Sequence, residues 1–125
     1  MKLKIDHKFP SLNDYIAAER TNKYKASKMK KDLTEIVALE CKRQKIPKFG
    51  KVVLHYRWIE KTKRRDKDNI CFNQKFVQDG MVHAGVLKND GWEQVKGFTH
   101  EFEIGADYGV KLKSRRHRNE SKHRN

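Results

Sequence analysis

The chain has 125 residues, which suits one compact domain with a single hydrophobic core and a loose tail. Its hydrophobic fraction of 36% and mean hydropathy of -1.00 are low, yet they need not mean disorder, because the apolar residues fall in periodic segments. Thirty Lys and Arg against sixteen Asp and Glu give a net charge of +14, a self-repulsion that points to a polyanionic partner, nucleic acid by default.

In chain order, "MKLKI" alternates with Leu3 and Ile5 on one side and predicts a short strand. "FPSLND" is a turn, and Ser11 and Asp14 have the spacing of a capping box. Residues 14–25 fit a helix or an ordered loop. From Ser27 to about Gln44, Met29, Leu33, Ile36, Val37 and Cys41, with Leu39 alongside, make a helical stripe that Pro47 and Gly50 end. "KVVLHYRWI" reads as a strand with Val53, His55, Arg57 and Ile59 on one face and Val52, Leu54, Tyr56 and Trp58 on the other. A basic loop follows, then a helix from about Asn69 to His83 with Asp68 as N-cap. "WEQVKGFTHEFEI" is extended, with a bulge or bend expected at Gly97, and "VKLKS" is the last strand. "RRHRNESKHRN" has neither periodicity nor apolar residues. The expectation is a domain over residues 1–113 and a flexible basic tail over 114–125. The order predicts an α+β single domain, a mixed sheet of about four strands with two main helices packed on it.

Cys41 and Cys71 stand alone, without the spacing of a zinc site or a disulfide framework, and read as buried helical thiols. No segment has the apolar run of a signal peptide or a membrane span, so a cytoplasmic, reducing location without membrane contact is the expectation. His7, His55, His83 and His100 are scattered, and Trp58 and Trp92 read as core or sheet-face aromatics.

Charge is unevenly spread. Residues 1–50 carry thirteen basic and six acidic groups, the last fifteen seven and one, but residues 51–110 ten and nine. Within that balanced middle, "KTKRRDKDNI" sets Asp66 and Asp68 among five positive side chains. Their alternation just before a helix lets both carboxylates face one way, with Asn69 placed to bond a carboxylate or a bound water. If Asp68 points into a site, Lys75 and Asp79 return on the same helix face, and Asp90 can close on the pair from the following turn. Hard oxygen ligands of this kind suit Mg²⁺, which serves phosphodiester hydrolysis, and Lys61, Lys63, Arg64, Arg65 and Lys67 suit the flanking phosphates. The plainer readings are surface ion pairs, an N-cap at Asp68 and an i,i+4 pair between Lys75 and Asp79. On pattern alone the chain is a basic nucleic-acid-binding domain with a possible metal dependence.

"RRDKDNI" followed by "KFVQDGMVHAGVLKNDGWEQV" resembles the RusA family of Holliday junction resolvases, found in phages and prophages, and "PSLN" is similar to that family's early Pro-Ser-x-Asn turn. The resemblance covers about residues 1–113, with its specific part at 63–95. It implies a RusA-like fold and a homodimer that binds four-way DNA and nicks it symmetrically. It further implies that Asp66, Asp68 and Asp90 are the catalytic metal-binding acids, with Mg²⁺ as cofactor and Mn²⁺ as substitute, and that Asn69 is the motif asparagine. The family's helix lysine falls where this chain has Phe72, so Lys75, nearly a turn later, takes that role only by displacement. A branched-DNA-binding protein without cleavage and a basic RNA-binding scaffold are the alternatives.

Overall fold

The computed structural model describes residues 1–117, and the remainder of the basic tail lies outside the described residues. The elements run β1 (Lys2–Ile5), α1 (Leu12–Thr21), α2 (Lys23–Arg43), β2 (Val52–Glu60), α3 (Lys67–Cys71), α4 (Gln74–His83), β3 (Val95–Ile104) and β4 (Gly109–Arg116). The chain is a single α+β domain with one mixed sheet of order β1-β4-β2-β3, in which β2 and β3 are parallel and the other pairs antiparallel. Among the described residues no helix is long and apolar enough to cross a membrane.

The alternation of β2 decides which face is inside. Val52, Leu54, Tyr56 and Trp58 are at most 2% exposed and meet Leu3, Ile5, Val110 and Leu112 from β1 and β4. Helices α2 and α4 cover this face with Leu33, Val37, Cys41, Phe76, Val77 and Met81. The opposite face, with His55 and Arg57, carries no helix among the described residues, as the sequence pattern predicts for a sheet packed on one side.

Local chemistry sets the boundaries. Ser11 Oγ accepts from Asp14 N at 3.1 Å and starts α1. Asn22 ends α1 and caps α2, its Oδ1 accepting from Lys25 N, so the long helix begins four residues before Ser27. Leu39, assigned alongside the helical stripe, is 64% exposed because it falls outside the face that α4 and the sheet cover. Gly85 takes φ +80° just past α4, where Val86 N bonds Met81 O and turns the chain away. Lys96 is the extra residue of a bulge between β2 and β3, immediately before Gly97.

Two expectations need correction. The helix expected over 69–83 is two helices. Asn73, wholly buried, donates its Nδ2 to Ile70 O at 2.9 Å and to Pro10 O at 2.8 Å, so a side chain takes the carbonyl that continued α-helix would use. The tail also starts later than residue 114: Ser114, Arg115 and Arg116 pair with Leu54, Val53 and Val52, giving polar residues a strand conformation through cross-strand bonds.

Helices α2 and α4 touch at Gly80, where an added Cβ would overlap Val37 and lie 2.9 Å from Thr34 O. Gly80→Ala should therefore destabilise the fold by about 1–3 kcal/mol despite its better helix propensity, read as a lowered midpoint in urea unfolding.

Candidate nucleic-acid interface and acidic site

The parallel strands β2 and β3 both end at the same side of the sheet, and the chain leaves β2 there to begin α3. A cavity of about 620 Å³ opens at this end, lined by Glu60, Lys63, Asp66, Lys67, Phe102 and Ile104 among others. Open parallel sheets leave such a crevice because the connecting helix must cross from one strand end to the next.

The loop between β2 and α3 is held from beneath. Arg65 donates Nε and Nη2 to the two carboxylate oxygens of Glu60, each at 2.8 Å, and Nη1 to Phe9 O at 2.7 Å. Both partners are largely buried, with Glu60 7% exposed. Arg65, expected to be a phosphate contact, thus has its guanidinium committed inside the protein. Asn69 has a similar internal use: its Oδ1 accepts from Asn13 N at 3.3 Å. With the Asn73–Pro10 bond, these contacts join the "PSLN" turn to the "RRDKDN" segment.

The remaining cations stand free. Lys61, Lys63, Arg64 and Lys67 are exposed and make no ion pair among the described residues. Two are steadied by aromatic faces that the sequence reading did not single out. Lys61 Nζ sits 5.8 Å from the Tyr108 ring centre, and Lys67 Nζ 5.7 Å from that of Phe102. An aromatic just before β4 and another on β3 become meaningful only once the sheet brings them to the loop.

Asp66, not Asp68, is the N-cap of α3, and its side chain makes no capping bond. Asp68 lies in the first turn and accepts from Asn69 N at 3.0 Å. The two are therefore not alternating positions of an extended segment; the helix starts between them, and residues two apart on a helix do not face each other. Neither forms an ion pair among the described residues. Asp66 lines the cavity, whereas Asp68 and Asp90 do not.

Asp90 has a different neighbour. Lys75 Nζ bridges Asp79 at 3.1 Å and Asp90 at 3.3 Å, and the bonds to these two carboxylates, Asp79's foremost, raise its pKa. The break at Asn73 separates Lys75 from the helix that carries Asp68, so the shared face expected for Asp68, Lys75 and Asp79 does not form. Among the described residues no three His, Cys, Asp or Glu side chains are grouped to hold a metal ion. The three acids are hard oxygen donors of the correct type, but they are not assembled as one set.

Beneath α4 runs a chain of polar groups that the sequence does not announce, because its histidine, His100, stands apart from the others in the chain. Trp58 Nε1 donates to His100 Nδ1 at 2.9 Å, which leaves the proton on Nε2 to meet Gln74 Oε1 at 2.9 Å. Gln74 Nε2 and Tyr56 Oη both donate to Gln78 Oε1, at 2.6 and 2.7 Å. Trp58 is a core aromatic as expected; Trp92 is instead 94% exposed. Burial pushes the Cys41 thiol up to about 11 and raises that of Cys71, which makes both poor nucleophiles.

No protein-family model matches the chain, and no curated protein matches its sequence.

Two outcomes follow from this geometry. Arg65→Ala should cost about 3 kcal/mol, since it strands the Glu60 carboxylate in a buried position, and chemical denaturation reads it directly. Burial lowers the His100 pKa below 6.5. Its contribution to stability is thus complete above pH 6.5 and is lost as pH falls from there through the folded value, because the unfolded chain takes the proton first. Thermal midpoints measured from pH 7.5 to 5 should fall in the native protein and fall less steeply in His100→Gln.

Proposed function

We propose that this chain is a divalent-metal-dependent, structure-selective DNA endonuclease of RusA type, which as a homodimer nicks four-way junctions symmetrically. The observation that carries the reading is Asp66: a carboxylate without a cationic partner among the described residues, lining a cavity together with exposed Lys63 and Lys67, in a loop that also carries exposed Lys61 and Arg64. A chain with so large an excess of cations leaves this acid and Asp68 unneutralised where a phosphodiester backbone would be drawn in.

The residues divide the work by chemistry. The exposed lysines and Arg64 engage flanking phosphates and fix the register of the strand, while Arg65 and Glu60 keep the loop in place. Asp66, on the cavity, is a hard donor of the kind that holds magnesium through one or two carboxylates with water completing the shell, and Asp68 joins it only if the first turn of α3 brings its carboxylate round to the cavity. A magnesium ion, when bound there, supplies charge relief on the phosphate and an activated water. Asp90 joins them only if its ion pair with Lys75 opens; Asp79 then retains the ammonium one turn along the same helix. A two-fold dimer brings one site to each of the two strands that must be cut. Strand β3 is a sheet edge with Phe98 and Ile104 about half exposed, a surface on which a second copy can seat.

A second reading, a branched-DNA-binding protein without cleavage, is favoured by the same unassembled acids. Incubating the protein with a synthetic four-way junction and a linear duplex, in Mg²⁺ or in EDTA, separates the two. The expected result is symmetric nicking of the junction alone, only with metal. Tight junction binding in EDTA without product in Mg²⁺ or Mn²⁺ establishes the second reading, and a preference for RNA establishes the scaffold alternative. Asp66→Asn and Asp68→Asn should each reduce nicking by more than about 100-fold, beyond what outer-shell changes give, while junction binding holds or tightens. Weakened binding with unchanged cleavage per bound complex overturns the assignment.

A further inference from the structure

The sheet face turned away from the helices sorts its charges by strand. Lys2 and Lys4 of β1 stand directly opposite Lys113 and Lys111 of β4. On the other side of β4, Lys113 faces His55, Lys111 faces Arg57, and Arg115 faces Val53. The acids of this face, Glu101 and Glu103, lie on β3 at the far edge. Of the cations only Lys4 and Arg57 have partners among the described residues, Asp6 at 3.6 Å and Glu101 at 3.5 Å.

Like charges directly across a ladder are destabilising, and a solvent-facing sheet surface can be kept polar with Thr, Ser or mixed charges. Lysines on an edge strand do protect it from unwanted pairing, which accounts for Lys2 and Lys4. That explanation fails for Lys111 and Lys113, because β4 is an interior strand bonded on both sides. Successive cations on one strand are about 6.6 Å apart and neighbouring strands about 4.8 Å, a grid with a pitch close to that of phosphates along a nucleic-acid strand.

We propose that the outer face of β1 and β4, carried by Lys2, Lys111, Lys113 and Arg115, is a second binding surface for a nucleic-acid backbone, separate from the acidic cavity. Among the described residues β1 and β4 carry no exposed large apolar side chain that would let the face sink into lipid, so an arm of duplex DNA fits it better than a membrane. A protein that grips one arm at the loop rim and another on the sheet face would favour branched over linear DNA without reading sequence. The choice of DNA rests on the endonuclease reading; the existence of the surface does not.

The test uses the intact chain in EDTA, so that it is independent of cleavage. Binding to a short blunt duplex and to a four-way junction is measured across a salt series for the native protein, for Lys111→Gln/Lys113→Gln, and for Lys30→Gln/Lys31→Gln as a matched loss of charge on α2. Loss of two phosphate contacts should reduce the slope of log K against log salt by about 1.8 for the sheet variant and leave the α2 variant at the native slope. Its thermal midpoint should hold or rise, since facing repulsions are relieved. Equal slope changes in both variants, or none in the sheet variant, overturn the proposal. So does recruitment to phosphatidylserine vesicles that the sheet variant loses while its DNA slope stays native. A chain that never nicks DNA can still pass, so failure here and failure of the nuclease reading are distinct results.

Discussion

Everything at the acidic end of this protein depends on the fastening of the segment after β2 to the turn between β1 and α1. Five cations in seven residues would push a free loop outward into solvent. Instead Arg65 closes a two-pronged pair with Glu60 and reaches Phe9 O, Asn69 receives Asn13 N, and Asn73 reaches Pro10 O. The bonds from Arg65 to Phe9, Asn13 to Asn69 and Asn73 to Pro10 each cross more than fifty residues of sequence, so each exists only in the folded state. They fix the loop in the position where Asp66 lines the cavity beside Lys63 and Lys67, with Arg65 turned inward. Burying Glu60 and Arg65 would be costly for either alone; together they satisfy each other and specify the position of the loop.

The distribution of charge follows the same division. Where a cation is structural it has a partner: Arg65 with Glu60, Arg43 with Glu40, Lys28 with Asp32. Where the surface is open at the loop rim and on the outer sheet, lysines lie close together and mostly unpaired. That pattern spends stability on potential, and only an external anion recovers it.

Much of the architecture was legible because it depends on short-range periodicity. The alternation of "KVVLHYRW" gave both faces of β2, and the spacing of Leu33, Val37 and Cys41 gave the buried side of α2. The count of four strands in a mixed sheet followed from their order. What could not be read came from distant partners. Nothing near Asn73 announces a break, since the group that stabilises it is the Pro10 carbonyl; the same holds for Arg65, which in sequence is one more positive residue in a positive run. Residues 114–116 look like tail and are strand because β2 offers them a ladder. The acids were legible as residue types, but their arrangement was not: the helix that begins at Lys67 sends Asp68 away from Asp66, and Lys75 binds Asp90 from a second helix. Tyr108 and Phe102 became visible as supports for Lys61 and Lys67 only through the sheet.

The position of β4 has a consequence for how the protein is made. Strand β4 lies in the middle of the sheet, between β1 and β2, and among the described residues β1 has no other strand partner. The helices and the parallel β2–β3 pair can assemble first, but Leu3 and Ile5 have no ladder to join until Leu112 and Val110 are in place. Closing that gap joins the two strands of the sheet that lie farthest apart in sequence, which makes it a late event of folding rather than an early one.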